Sequence, residues 1–151
     1  GASYNSGNVD IYKLDETGLP TELTASRNEG KEYAHAVGIS PDNKAVYLPF
    51  VKKNNSLNQY RFDPDTGKLE PHSKPTADVG EGAGPRHVVT HPNTPFVYFS
   101  NEQQLGISIY KVGDDGAEDG ARLRRVLCRE ERGIELLDHL PRPKEAEVAA
   151  R

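Results

Sequence analysis

Three side chains that lie far apart in the sequence have the chemistry for proton transfer and charge stabilisation at a single site. They are His35, Arg86 and Glu102. An imidazole can shuttle a proton near neutral pH, a carboxylate can activate or orient a water molecule, and a guanidinium can hold a developing negative charge. His35 and Arg86 stand 51 residues apart, so whether they meet depends on how the chain repeats.

An internal repeat with a period of about 50 residues runs through the first 112 residues. Segments 39–47 and 90–98 align at an offset of 51, with matching proline, valine and tyrosine positions. A second signature containing a tyrosine recurs at 9–14, 58–62 and 107–112. Short alternating strands separated by Pro, Asn, Asp and Gly turns at this period are typical of β-propeller blades. A β-sandwich of similar hairpins is the alternative.

The repeat predicts blades of four antiparallel strands, from an innermost strand A to an outermost strand D. The predicted positions are 35–40 and 86–91 for strand A, 45–50 and 96–100 for B, 9–14, 56–62 and 107–112 for C, and 21–25 and 68–73 for D. The fold class is therefore all-β, a partial β-propeller of two to three blades with a charged C-terminal tail. Because blades bury their faces against neighbours, we expect exposed flanks and self-association through them.

Composition limits the class of protein. The hydrophobic fraction of 34% and the mean hydropathy of −0.75 are low for a self-contained core. The net charge of −4 gives no basic surface for nucleic acid, and no apolar run is long enough to span a bilayer. Cys128 is the single cysteine, which fits a reducing compartment. We expect a cytoplasmic protein, and the absence of methionine predicts a fragment.

The sequence changes character after Val112. Every Phe and Tyr lies before that point, whereas the 39 residues 113–151 carry 18 charged side chains. We assign residues 1–112 to the blades and 113–151 to a charged insertion or tail, with a completing strand near 133–141. The alternative is that everything after Val112 is unrelated to the repeat.

The alignment also predicts where the three candidate side chains meet. His35 and Arg86 each begin a strand A, which lines the channel of a propeller, and Glu102 follows strand B on the same face. An imidazole, a guanidinium and a carboxylate at one channel mouth are suited to opening a lactone without a metal. We therefore expect no metal site and no cofactor. A structural ion pair between Arg86 and Glu102 is the alternative.

Segments 80–93 and 35–43 resemble the propeller-type 6-phosphogluconolactonases. The most specific element is Gly84-Pro85-Arg86-His87, and the resemblance covers residues 1–112, less than half of a family member. It implies a seven-bladed β-propeller and a hydrolase of carbohydrate metabolism. Such an enzyme would convert a phosphorylated sugar δ-lactone to its acid in the pentose phosphate pathway.

The resemblance assigns roles to the three candidates. Glu102 would activate a water, Arg86 would polarise the lactone carbonyl, and His35 would carry a proton to the ring oxygen. Carboxymuconate lactonizing enzymes have a similar fold, and their proposed His, Arg and Glu match the same positions. Their activity, or a non-catalytic propeller remnant that serves as an interaction module, is therefore an alternative.

Two further residues are expected to bind the substrate. Lys52, or its neighbour Lys53, would meet the substrate phosphate as a point charge, and Asn101 accompanies the candidate glutamate in the family signature. Both lysines could equally be solvated loop charges. We expect His87 to face away from the channel because it follows Arg86 along a strand. His91 matches a serine of the repeat and is expected to support a turn.

Overall fold

The computed structural model describes residues 1–114 and 121–126, which form ten β-strands and one short 3₁₀ helix, Lys52–Asn54. The strands are β1 Asn8–Leu14, β2 Pro20–Asn28, β3 Gly38–Ile39, β4 Ala45–Phe50, β5 Ser56–Asp63, β6 Lys68–Ala77, β7 Pro85–Thr90, β8 Phe96–Asn101, β9 Gly106–Asp114 and β10 Ala121–Val126. In these two ranges, no helix has the length and apolar character to cross a membrane.

The strands form three antiparallel sheets. The first blade contains β1 and β2, the second contains β3 to β6, and the third contains β7 to β10. Within each blade, every strand pairs with its neighbour in sequence, as in an up-and-down meander. The predicted all-β, partial propeller fold is confirmed.

Each four-stranded blade joins its two innermost strands through the same type of turn. In the second blade, the Ser40 hydroxyl accepts hydrogen bonds from the backbone N–H groups of Lys44 and Ala45, at 3.2 and 2.9 Å. In the third blade, His91 Nδ1 accepts from Asn93 and Thr94, at 3.1 and 3.0 Å. The imidazole binds the N–H groups two and three residues on, whereas the hydroxyl binds those four and five residues on, and the predicted turn role of His91 is confirmed.

The core consists of two clusters, one at each junction between blades. Strand β4 contributes to both, because successive residues of a strand point to opposite faces. Val46, Leu48 and Phe50 pack toward the first blade with Val9, Ala34 and Tyr60. Tyr47 packs toward the third blade with Leu57, Val79, Val97, Phe99 and Tyr110. These buried contacts fix how the blades, and the side chains at their ends, sit beside each other.

Some apolar side chains of the first blade and its turn are exposed. Leu14, Leu19 and Leu23 are each more than half accessible. They are the type of surface that another blade or another copy of the chain would cover. The expected self-association through such flanks stays a prediction.

Several predicted strand boundaries differ from the structure. The innermost strand of the second blade covers only Gly38–Ile39 instead of 35–40, and the third strand of the third blade runs to Asp114, past the boundary set at Val112. Strand β10 lies within the segment predicted as an insertion and pairs with β9 from Ala121↔Asp114 onward. The completing strand expected at 133–141 lies outside the described residues.

Candidate active site

A repeated backbone turn positions His35 and Arg86. Two residues before each of them, the chain adopts a left-handed conformation, with φ of 67° at Tyr33 and 63° at Gly84. In each case, the carbonyl of the left-handed residue accepts a hydrogen bond from the residue that follows strand β4 or β8. The pairs are Val51 N–H to Tyr33 O at 3.1 Å and Glu102 N–H to Gly84 O at 2.8 Å.

The loop before Arg86 is also held from the second blade. The Asn55 side chain donates to the carbonyl of Gly80 at 2.8 Å and accepts from the N–H of Gly84 at 2.7 Å. Glycine is favoured at position 84 because its φ of 63° is in the left-handed region, which disfavours other residues. Asn55 therefore ties the loop of the third blade to the second.

The Arg86 guanidinium lies between two partners. Its Nε is 2.8 Å from Glu102 Oε2, an ion pair without the alignment of a hydrogen bond, and its Nη1 is 2.9 Å from His87 Nε2. Because a guanidinium can only donate, His87 Nε2 is the acceptor and carries no proton. The Arg86 and Glu102 side chains are 42% and 37% accessible, and such exposed pairs contribute only about 0–1 kcal/mol. Stability alone therefore gives little reason for this arrangement.

His35 lies next to this pair. Its ring contacts the His87 ring at a centroid distance of 4.9 Å and the Tyr4 ring at 5.8 Å, both edge-on. Burial lowers the pKa of His35 below its usual value, the positive charge of Arg86 lowers it further, and the Glu102 carboxylate opposes this effect. The buried Nδ1 has no hydrogen-bond partner among the described residues, so a proton there would lack an acceptor. His35 is therefore neutral at physiological pH.

Lys52 reaches the same region from the loop after β4. Its Nζ is 5.4 Å from the centroid of the Tyr4 ring and 4.9 Å from that of Tyr33. A hydrogen bond to the Tyr4 side chain is the main cause that raises the pKa of Lys52, and the Glu102 carboxylate adds to it. A cation and an aromatic wall thus adjoin the cluster of His35, Arg86 and Glu102.

Known proteins with related sequences are lactonases. The family described as "Lactonase, 7-bladed beta-propeller" matches residues 1–129. The chain belongs to this family. A 6-phosphogluconolactonase from Cronobacter sakazakii is 38% identical over 112 residues, which cover 74% of the chain and 32% of the relative. One from Enterobacter sp. strain 638 is 34% identical over 110 residues, covering 73% and 32%. The chain thus spans about a third of the length of these curated relatives.

Two solved structures have the same fold as this chain. A candidate 6-phosphogluconolactonase from Bacteroides fragilis superposes with a TM-score of 0.64 at 17% identity, over 82% of this chain and 33% of the other. A periplasmic gluconolactonase from Pseudomonas aeruginosa superposes with a TM-score of 0.63 at 18% identity, over 84% and 38%. At these identities, the likeness supports the propeller fold alone.

Four of the five predicted site residues of the lactonase chain are brought together. His35, Arg86, Glu102 and Lys52 adjoin one another directly or through Tyr4. Asn101 is not among them, because its side-chain amide exchanges hydrogen bonds with the Ser108 hydroxyl at 2.9 and 3.2 Å. Its substrate-binding role stays a prediction that none of its contacts supports.

His87 is a correction to the sequence interpretation. It was expected to point away from Arg86, but both side chains lie on the same side and touch. The pairing of β7 with β8 shifts register between Pro85 and Val88, so the alternation of the strand is broken at these two residues. A bulge re-aims a side chain in this way. In the sequence, the pair Gly84-Pro85 before Arg86 indicated this irregularity, since glycine and proline in a strand often mark a bulge.

Tyr4, Tyr33 and Asn55 were missed as well. None of them occupies a strand, and their importance comes from contacts between blades that a repeat pattern does not display. Tyr33 has a left-handed φ, and the equivalent position in the next blade, which has the same conformation, is occupied by Gly84. In the described residues, no group of three or more His, Cys, Asp or Glu side chains is placed to hold a metal ion.

Proposed function

We propose that this chain forms part of a lactonase site that hydrolyses a phosphorylated sugar δ-lactone of the 6-phosphogluconolactone type to its acid. One observation carries the proposal. The Arg86 guanidinium is oriented between Glu102 and His87, directly beside a neutral His35. This arrangement places a charge-stabilising group and a proton acceptor together. The names of the sequence relatives support the same substrate class.

The reaction assigns one task to each group. Arg86 donates to the lactone carbonyl oxygen and stabilises the negative charge that forms when water attacks the carbonyl carbon. Neutral His35 accepts the proton of that water, aided by the Glu102 carboxylate, which orients the water and the guanidinium. The tetrahedral intermediate then expels the ring oxygen, which takes the proton from His35. The products are a free hydroxyl group and a carboxylic acid, which then releases its proton to solvent and becomes a carboxylate.

The alternative functions differ in whether the substrate must carry a phosphoryl group. A lactonizing activity on a muconate has no need of a phosphoryl group, whereas a 6-phosphogluconolactonase discriminates in its favour. The position of Lys52 beside the cluster supports the phosphorylated substrate. A non-catalytic interaction module requires neither lactone.

The test compares two arginines that form similar ion pairs. Arg86→Ala removes the candidate carbonyl-binding group, while Arg61→Ala breaks a pair with Glu70 of comparable exposure, 3.4 Å apart. Hydrolysis of 6-phosphoglucono-δ-lactone is followed as product formation above the spontaneous rate. We expect Arg86→Ala to lower kcat/KM by about 100-fold or more, the usual weight of an oxyanion-stabilising donor, and Arg61→Ala to leave it unchanged. If the unsubstituted chain shows no lactone-dependent rate, the interaction module is favoured instead.

The cytoplasm is part of the proposal. The single Cys128 supports a reducing compartment, and the acidic net charge supports a small-molecule substrate over a nucleic-acid partner. One fold neighbour is described as periplasmic, so the fold alone does not determine the compartment. Cell fractionation with antibodies to the protein would test this directly.

A further inference from the structure

Two adjacent lysines in the loop after β4 have different surroundings. The Nζ of Lys52 lies over the rings of both Tyr4 and Tyr33, at 5.4 and 4.9 Å from their centroids. The Nζ of Lys53 lies 5.5 Å from the centroid of the Tyr33 ring, but it is also 2.9 Å from the Glu32 carboxylate, with which it forms an exposed ion pair. Aromatic faces attract a cation but leave its charge uncompensated. Of the two, Lys53 already has a carboxylate partner, so a bound anion would compete with Glu32 at Lys53 but with no such close partner at Lys52 among the described ion pairs.

The aromatic contacts hold Lys52 beside the candidate catalytic residues. Tyr4 contacts both the Lys52 ammonium and the His35 ring, and so lies between them. The backbone φ values of Tyr33 and Lys52, 67° and 56°, are both in the left-handed region, which side chains other than glycine rarely adopt. Such conformations concentrate where function requires them.

We propose that Lys52 is the anion-binding residue of this site and takes the phosphoryl group of the lactone, with Tyr4 and Tyr33 as its positioning residues. The proposal rests on the proposed function and deepens it by choosing between the two lysines. A lysine is a flexible, strongly hydrated point charge. Because two rings already restrict its side chain, less conformational freedom is lost when the phosphoryl group binds.

The test measures binding to two stable ligands that differ only in the phosphoryl group, 6-phosphogluconate and gluconate. Heteronuclear NMR titration of the labelled chain gives both affinities without any need for turnover. We expect the unsubstituted chain to prefer 6-phosphogluconate by about tenfold or more, the value of one charge-assisted hydrogen bond. Lys52→Ala should abolish this preference, and Lys53→Ala, the matched control, should retain it.

Tyr33→Gly tests the positioning role separately. Glycine suits the left-handed backbone, as Gly84 does at the equivalent position of the next blade, so the loop keeps its conformation while the ring is lost. We expect the preference for the phosphorylated ligand to fall several-fold. In a Lys52→Ala background, the same substitution should have no further effect on the preference. A purely structural tyrosine would lower both affinities equally and leave their ratio unchanged.

The outcomes distinguish the inference from the function it rests on. Equal binding of the two ligands, or no binding of either, would overturn the inference, as would equal effects of Lys52→Ala and Lys53→Ala. If Arg86→Ala lowers the rate of lactone hydrolysis but Lys52→Ala leaves the preference for the phosphorylated ligand unchanged, the inference alone is refuted. If Lys52→Ala abolishes the preference for 6-phosphogluconate but the unsubstituted chain does not hydrolyse the lactone, the proposed function alone is refuted.

Discussion

Replacing Asn55 should loosen the loop that carries Arg86. Asn55→Gly removes two hydrogen bonds, to Gly80 O at 2.8 Å and from Gly84 N–H at 2.7 Å. Because Asn55 itself has a positive φ of 36°, glycine preserves the backbone and isolates the loss of the side chain. At about 0.5–1.5 kcal/mol for each bond, the free energy of unfolding should fall by about 1–3 kcal/mol. At about 4 °C per kcal/mol, the Tm falls by roughly 4–12 °C.

Thermal unfolding and amide hydrogen exchange would measure this change. The Gly84 N–H should exchange faster in Asn55→Gly, since its acceptor is gone. Asn43→Gly is the matched control, because Asn43 also has a positive φ, 58°, and within the described part of the chain its side chain makes no hydrogen bond. We expect the control to change stability by no more than about 0.5 kcal/mol. If both variants have the same Tm and the same Gly84 exchange rate, the reasoning about the loop is refuted.

Substitutions at five other residues follow from their individual surroundings. The buried Tyr47 hydroxyl has no hydrogen-bond partner among the described residues, and burial raises its pKa to about 12, so Tyr47→Phe should stabilise the fold by about 1 kcal/mol in urea titration. Tyr110→Phe, which removes a 2.8 Å hydrogen bond to a backbone carbonyl, should destabilise it by a similar amount. Gly84→Ala and Gly18→Ala should each cost about 1–2 kcal/mol, because both positions have a left-handed backbone and the Gln103 side chain near position 84 is exposed and can move aside. For His35, the unfolded chain binds the proton more readily than the folded one, because folding lowers its pKa. Stability should therefore fall as the pH drops below about 6.5, until the folded-state pKa is passed, and His35→Gln should lack this component in pH-dependent denaturation. An equal acid sensitivity of His35→Gln and the unsubstituted chain would contradict it.

The repeat in the sequence was sufficient to predict the blades. An offset of 51 pairs His35 with Arg86, and the same offset relates Tyr33 to Gly84 and Val51 to Glu102 in the backbone hydrogen bonds of the structure. This agreement has a physical basis, because each blade must present the same bonding groups to its neighbour. Positions set by backbone pairing were therefore predictable from alignment alone.

Features that interrupt the strand pattern were not predictable in this way. His87 joins Arg86 because a register shift breaks the alternation of β7, whereas Asn101 and Glu102 lie side by side and have separate partners. Strand β10 has the sequence Ala-Arg-Leu-Arg-Arg-Val, whose charges concealed it within a segment that looked like an insertion. This segment forms a strand because it pairs with β9, and such pairing cannot be recognised from the amino-acid composition of the segment.

The comparison of Tyr33 with Gly84 connects the fold to the site. The same left-handed turn occurs at both positions, and glycine adopts it without strain, so the geometry of the propeller alone would favour glycine twice. A tyrosine that accepts this strain needs another reason, and its ring contact with Lys52 supplies one. The arginine, the histidine, the glutamate and this lysine all come from two adjacent blades. The second and third blades therefore supply all four side chains, Tyr4 ahead of β1 lies between two of them, a repeated backbone turn holds the loops, and one departure from glycine orients the cation.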